Sequence, residues 1–131
     1  MLLRDAFADQ NTVFATTMAG LGERAGLKNV RLIPDCNRDR PVQAARCVFQ
    51  LALLIARLRP HVVISTGALP GVIALAIGRR VGARTIWVDS IANAEQLSLA
   101  GEKARGHADL WLSQWPAVAE SAGARYAGSV L

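Results

Sequence analysis

Short runs of apolar and β-branched residues alternate along the chain with longer apolar or amphipathic segments. The clearest example is an apolar run at residues 62–65, a helix pattern at 69–81 and a second apolar run at 85–88. A strand, a helix and a strand within about 30 residues predict one βαβ unit of a parallel sheet. Apolar strands without alternation are typical of sheets that are covered on both faces.

Similar patterns continue on both sides of this unit. They predict strands at residues 12–17, 29–33 and 110–113, with a last strand or linker at 125–128. They predict helices at residues 2–8, 41–59, 93–105 and 116–122, and a glycine-punctuated connection at 18–26. The order predicts an α/β fold, a Rossmann-like doubly wound parallel sheet with right-handed crossovers. The length fits one domain, residues 1–131.

The longest predicted helix, residues 41–59, is broadly apolar. Pro41 suits the first helical position, and Pro60 ends the helix. One polar stripe crosses it, formed by Gln43, Arg46, Gln50 and Arg57. The remaining surface is enough to pack on a sheet and to touch a partner or a bilayer. The longest uninterrupted apolar run, LALLIA, is far shorter than the roughly 20 residues of a spanning helix, so no transmembrane segment is predicted.

Charge and cysteine content indicate which binding partners and which cellular compartment suit the protein. The formal net charge is +5, and the basic residues are almost all arginine. Arginines on the outer faces of helices are either simply exposed to solvent or bind an anionic partner, such as an anionic membrane, a nucleotide or nucleic acid. Cys36 and Cys47 form no metal or redox motif, which favours reduced thiols in a cytosolic protein. The first residues do not have a signal-peptide pattern.

Candidate chemistry lies where the predicted strands end. The turn STGALPG, residues 65–71, matches neither the dinucleotide fingerprint nor the P-loop, but Gly67 and Gly71 would let a sugar or phosphate approach the backbone. A tight structural turn explains the same glycines. Asp89 follows strand 85–88 and would accept a hydrogen bond from a ligand hydroxyl or from the protein itself. No spacing indicates a metal site or a nucleophile–histidine pair.

The three tryptophans are a large share of the aromatic residues. Trp87 and Trp111 lie in predicted strands and are expected in the core. Trp115 lies at a strand end, where it would be able to join a contact surface.

Three segments resemble a known family: RPHVVISTGALPGVIALAIGRRVGARTIWVDSIANAEQLS, HADLWLSQWP and RYAGSVL. They are similar to the Alg14-type subunit of UDP-sugar-dependent glycosyltransferases that act on polyprenyl-pyrophosphate-linked sugars. The bacterial exopolysaccharide members of the PssD and EpsE type are the nearest in character. The segments also resemble, more distantly, the N-terminal half of MurG-type glycosyltransferases.

The resemblance implies the acceptor-side, N-terminal half of a GT-B glycosyltransferase, inactive without a partner. An Alg13-like partner would hold the UDP-sugar, and no other cofactor and no metal is implied. The cleft would be formed by Ser65, Thr66, Gly67, Pro70, Gly71, Asp89, Ser90 and Asn93. The residues expected to face the partner are Trp115, Tyr126 and Gly128. No residue inherits a catalytic role.

A membrane location follows from charge and from the resemblance together. Arg38, Arg40 and Arg46 surround the start of the apolar helix, and acidic lipids attract each surface arginine by about 1 kcal/mol. The expected location is the cytoplasmic face of the membrane, as a peripheral protein bound to its anionic surface and to the lipid-linked sugar.

The chain departs from the family at its N-terminus. The family begins with a strand and a glycine-rich turn ending in histidine, ahead of the helix that residues 2–8 would finish. The true start is therefore expected upstream of Met1. That strand would be central, between strands 12–17 and 62–65, so its absence predicts two unpaired strand edges.

Two other functions remain open from the sequence. One is a non-catalytic basic α/β module that binds RNA or a nucleotide, although no RNA-binding motif supports it and no nucleic acid is expected. The other is a stand-alone nucleotide-sugar enzyme, which would need its own donor site.

Overall fold

The strands and helices alternate along the chain, as expected. In a computed structural model, residues 3–36 and 39–129 are described. The strands are β1 (Phe14–Thr16), β2 (Val30–Leu32), β3 (Val62–Ser65), β4 (Arg84–Val88), β5 (Leu110–Ser113) and β6 (Arg125–Tyr126). The helices are α1 (Leu3–Ala6), α2 (Leu21–Arg24), α3 (Pro41–Leu58), α4 (Ala68–Arg80), α5 (Leu99–Ala104) and α6 (Pro116–Ala122).

The strands form two parallel sheets instead of one. β1 pairs with β2, and a four-stranded sheet has the order β3-β4-β5-β6. Every pairing is parallel. Across the described ranges no strand pairing joins the two sheets. The unpaired inner edges that the sequence analysis expects, on β1 and β3, are therefore present, and the predicted α/β fold with parallel strands is confirmed.

Two helices differ from the sequence prediction. The helix predicted at residues 93–105 is wrong over its first half, because only Leu99–Ala104 is helical. The connection at residues 18–26 contains the one-turn helix α2. That turn packs closely under β2, since a Cβ on Gly22 would lie 2.6 Å from Val30 Cγ2.

The core has two clusters that share α4. One contains Ile33, Cys36, Cys47 and Leu51, with partly buried residues of α4 packed against it. The other contains Val72, Leu75, Trp87 and Ala104. Trp87 is completely buried, as expected, whereas Trp111 is only half-buried and lies under the guanidinium of Arg105. The first cluster fixes the end of β2 against α3 and α4.

Both cysteines are buried and free, as the sequence predicts. Burial and, to a smaller extent, the neighbouring Cys36 together raise the pKa of the Cys47 thiol to about 11. A thiol with this pKa stays protonated near neutral pH and reacts slowly. We therefore assign the pair to packing.

Helix α3 has two contrasting faces. Cys47, Leu51 and Ile55 are buried against the core. On the opposite side Val42 and Phe49 are 73% and 67% exposed, and Leu53 is exposed beside them. By length and composition α3 is just able to cross a membrane, with 18 residues and a mean hydropathy of 1.3. The sequence analysis predicted no transmembrane segment. Helices in the core of water-soluble proteins reach the same length and mean hydropathy, so these two values alone do not show that α3 spans a membrane.

Candidate functional site

The loops that follow β3 and β4 lie at the same end of the sheet, where the carboxyl ends of its parallel strands meet. The parallel register sets Ser65, the last residue of β3, beside Trp87 near the end of β4. Ligands of open α/β sheets bind beyond this edge. Thr66 and Asp89 therefore belong to adjacent loops, as the proposed cleft requires.

The β3–α4 turn is closed by its own serine. Ser65 Oγ donates to the carbonyl of Gly67 at 3.3 Å and accepts from the Gly67 N–H at 3.5 Å. Ser65 and Pro70 are buried, whereas Thr66 is exposed and Gly67 is half-buried. Among these residues only Thr66 offers a free-standing side chain to a ligand.

Gly71 is required by packing in the first turn of α4. A Cβ there would collide with Ser65 Oγ and would lie 3.5 Å from the ring of Trp87. The close approach that the sequence predicts at this glycine is an approach of helix to strand.

Substitution at Gly71 should therefore destabilise the fold. We expect Gly71→Ala to lower the free energy of unfolding by about 2 kcal/mol, because Ser65 or α4 must shift. Gly106→Ala is the matched control, since a Cβ at Gly106 meets nothing within 4 Å. It should change stability by no more than about 0.5 kcal/mol. Urea unfolding followed by tryptophan fluorescence measures both, and equal effects would contradict the packing role.

Ala68 is the most unusual backbone position of the turn. It begins α4 with a φ of 62°, in the left-handed region. This conformation costs a residue with a side chain about 1–2 kcal/mol, and such strain is concentrated at functional sites. The first turn of α4 also leaves the N–H groups of Ala68 and Leu69 without helical partners, and Pro70 has no N–H group.

Asp89 is the centre of the second loop, and it is 1% exposed. Oδ1 accepts from Trp87 Nε1 at 3.1 Å and from Ser98 Oγ at 2.7 Å. Oδ2 accepts from Asn93 Nδ2 and from the Ser98 N–H, each at 3.1 Å. Four donors compensate the burial of this carboxylate. They also fold residues 90–98 back over the end of β4.

Three further hydrogen bonds fix the loop at residues 89–98. Ser98 caps α5, accepting from the Gly101 N–H at 2.8 Å. Gln114 Nε2 donates to the Asp89 carbonyl at 2.9 Å, and Trp115 Nε1 donates to the Ile91 carbonyl at 2.8 Å. Ser98 has an ordinary N-cap signal in the sequence, but Gln114 and Gly101 do not signal their roles.

The predicted cleft residues thus come together in two groups. Ser90 and Asn93 are both half-buried. Ser90 Oγ accepts a hydrogen bond from the Ala92 N–H. Their contacts with a ligand stay a prediction. Asp89 and Asn93 already bond to each other within the loop.

The other predicted surfaces lie on different parts of the fold. Trp115 is half-buried and is the N-cap residue of α6, and its indole N–H donates to the Ile91 carbonyl in the loop after Asp89. Tyr126 and Gly128 are exposed at the end of β6. Arg40 and Arg46 are exposed at the start of α3, whereas Arg38 lies outside the described residues. Within residues 3–36 and 39–129, no three metal-ligating side chains come together.

Parallel strands, crossover helices and loops at the carboxyl ends give the chain a Rossmann-like α/β fold that resembles the N-terminal half of a GT-B glycosyltransferase. The solved structure that shows this likeness is a crystal structure of MurG from Acinetobacter baumannii, with a TM-score of 0.71 and 13% identity. The likeness covers 89% of this chain and 36% of MurG. No protein-family model and no curated protein sequence matches the chain.

Proposed function

We propose that this chain is the acceptor-side, membrane-docking subunit of a glycosyltransferase that extends a polyprenyl-pyrophosphate-linked sugar in surface polysaccharide synthesis. The observation that carries the proposal is the likeness to MurG over 89% of the chain. The sequence segments that resemble Alg14-type subunits point to the same class. An Alg13-like partner supplies the UDP-sugar site.

A partner is needed because the matched fold is one lobe of a two-lobed enzyme. The chain spans 36% of the length of MurG. A donor lobe would close over the edge where β3 and β4 end. Tyr126 and Gly128, which are exposed at the end of β6, lie where the chain leaves the sheet and face this partner.

The acceptor is held at the β3–α4 turn. Thr66 offers an exposed hydroxyl to a sugar or pyrophosphate oxygen. The unpaired N–H groups at the start of α4 favour an anion, since they carry the positive end of the helix dipole. The Asp89 loop walls the site, and its internal hydrogen bonds keep Ser90 and Asn93 at the rim.

Helix α3 docks the subunit on the membrane. Its exposed apolar stripe, Val42, Phe49 and Leu53, is bordered by Arg46 and Arg57. A helix of this kind lies in the membrane interface with its apolar face in the acyl boundary. Spanning is disfavoured, because Arg46 would enter the hydrocarbon at a cost of about 3 kcal/mol or more.

Calorimetry and vesicle flotation test this function together. The purified chain should bind no UDP-sugar alone, and it should float with vesicles that contain phosphatidylglycerol. Adding polyprenyl pyrophosphate to the vesicles should increase binding, and Thr66→Val should reduce only that increase. Tight UDP-sugar binding by the isolated chain would instead identify a stand-alone enzyme. Binding that ignores salt and lipid charge would contradict the membrane role.

A further inference from the structure

A recess opens at the end of the sheet where β3 and β4 begin, opposite to the end that carries Thr66 and Asp89. It has a volume of about 910 Å³ and lies between the last turn of α3, the end of α4 and the first residues of both strands. Its lining combines aliphatic side chains with cationic ones: Ala56, Val62 and Val81 with Arg59, His61 and Arg84. The recess is therefore suited to a ligand that is apolar at one end and anionic at the other.

Two of the lining residues lie on the outer face of the sheet. Val63 points toward α4, because a Cβ on Gly78 would lie 2.8 Å from its Cγ2. Val62 and Arg84 are paired in register and lie on the opposite, uncovered face. Val62 and Ile64 are 45% and 36% exposed there. An apolar ligand would remove this surface from water.

The cations of the recess are not occupied by the protein. In the described part of the chain the guanidinium groups of Arg59 and Arg84 make no hydrogen bond, and no carboxylate lines the recess. The carboxylate of Asp109, on the neighbouring strand, is taken up by Thr85, whose N–H donates to Oδ2 at 2.9 Å. That hydrogen bond is the main cause of the lowered pKa of Asp109, and Arg84 contributes less. Uncompensated positive charge in a concave site attracts anions.

The ends of the neighbouring helices do not account for these arginines. Basic side chains often follow a helix because they bond to its last carbonyl groups. Here the backbone already satisfies such groups at both helices. The Arg59 N–H donates to the Ile55 carbonyl of α3 at 2.9 Å. The Ala83 N–H donates to the Gly78 carbonyl of α4, also at 2.9 Å.

The exposed apolar stripe of α3 leads into the recess. Val42, Phe49, Leu53 and Ala56 follow one another at helical spacing on one face, and Ala56 is an exposed lining residue. An aliphatic chain bound along the stripe would therefore bring its polar end to Arg59. Apart from the imidazole of His61, the described lining has no ring on which a nucleobase would stack.

We propose that this recess binds the phosphate group of one anionic membrane lipid, with an acyl chain lying against Ala56 and the α3 stripe. Arg59 and Arg84 donate to the phosphate oxygens, because guanidinium and phosphate match in geometry. Val62 and Val81 contact the glycerol and the first acyl carbons. The proposal rests on the proposed membrane docking of α3 and names its lipid contact. Since the recess and the cleft lie at opposite ends of the sheet, this lipid is distinct from the acceptor.

A soluble lipid tests the site without a membrane. Dihexanoyl phosphatidylglycerol, below its micelle concentration, is titrated into the intact chain while amide chemical shifts are followed. We expect saturable shifts at Val62, Val81 and Gly82 but not at Ala68 and Leu69 in the cleft. Glycerol 3-phosphate has the anion without the chains, and dihexanoyl phosphatidylcholine has the chains without net charge. Each should bind about tenfold more weakly or worse.

Variants identify the side chains that hold the phosphate. Arg59→Gln and Arg84→Gln should each weaken binding of the soluble lipid by about tenfold. The matched control is Arg125→Gln, since Arg125 is exposed on β6 and its loss changes the net charge equally. It should stay within about twofold of the unchanged chain. Circular dichroism checks that each variant is folded.

Several results would overturn the lipid site. These are equal weakening by Arg84→Gln and Arg125→Gln, equal binding of glycerol 3-phosphate, shifts confined to Ala68 and Leu69, and tighter binding of a short single-stranded RNA. Flotation separates this failure from failure of the proposed function. If the unchanged chain does not float with phosphatidylglycerol vesicles, the membrane docking itself is rejected. If it floats but the soluble lipid does not bind at the recess, only the lipid site is rejected.

Discussion

Replacing Asp89 by alanine is expected to lower the free energy of unfolding by about 4 kcal/mol. The carboxylate is 1% exposed and accepts four hydrogen bonds. Its removal leaves the indole N–H of Trp87 and the Ser98 N–H in a buried cavity without acceptors, which is costly for each group. Residues 90–98 lose the group around which they fold. Urea unfolding followed by tryptophan fluorescence measures the loss.

Two further variants separate charge from volume. Asp89→Asn keeps the shape but replaces one acceptor by a donor, and should cost about 2 kcal/mol. Glu95→Gln changes an exposed carboxylate of the same loop and should stay within about 0.5 kcal/mol. If the free energy of unfolding of Asp89→Ala lay within about 1 kcal/mol of that of the unchanged chain, the carboxylate would not organise this loop. The alternative role from the sequence, a hydrogen bond to a ligand hydroxyl, would then be favoured.

Replacing Phe49 by aspartate should weaken vesicle binding by about 100-fold. Phe49 is at the centre of the exposed stripe of α3, and burying such a side chain in lipid contributes roughly 2–3 kcal/mol. The new carboxylate is repelled by anionic lipid as well. Partition coefficients on phosphatidylglycerol-containing vesicles measure the effect directly.

The matched control is Leu99→Asp. Leu99 is 78% exposed, but it begins α5, far along the chain from the α3 stripe. The same new charge there should leave vesicle binding within about twofold, a loss smaller than one surface arginine provides. Equal losses at both positions would show that net charge, and not the α3 stripe, determines binding. Circular dichroism checks that each variant remains folded.

Most strands were predictable because their composition leaves few alternatives. β3 and β5 have the predicted bounds, as does α6 between Pro116 and the left-handed Gly123. α3 begins at Pro41 as predicted, and its end is displaced by one residue because Arg59 takes the left-handed C-cap. Local signals determine these bounds, and no tertiary contact opposes them.

The Asp89 loop was not predictable from local sequence. Residues 93–98 include glutamate, glutamine and leucine, which favour a helix. A buried carboxylate that draws in Asn93 and Ser98 outweighs this preference. The sequence placed Asp89 at a strand end, but it did not show whether the donors around it would come from a ligand or from the protein.

The outward face of the sheet was likewise hidden in the sequence. The run VVIS gives no sign that Val63 and Ser65 face α4 while Val62 and Ile64 face the other way. That difference depends on where the glycines of α4 fall, since Gly71 and Gly78 accept the inward side chains. Register, and hence the identity of the uncovered face, is a tertiary property.

The β1–β2 ladder pairs only three residues on each strand. So small a sheet has little cooperativity of its own, and its attachment to the remainder depends on Ile33 and Cys36. Residues 14–32 should therefore form a separate foldon, opening and closing many times while β3–β6 stay intact. A protease that cleaves in this interval would report local breathing rather than global denaturation.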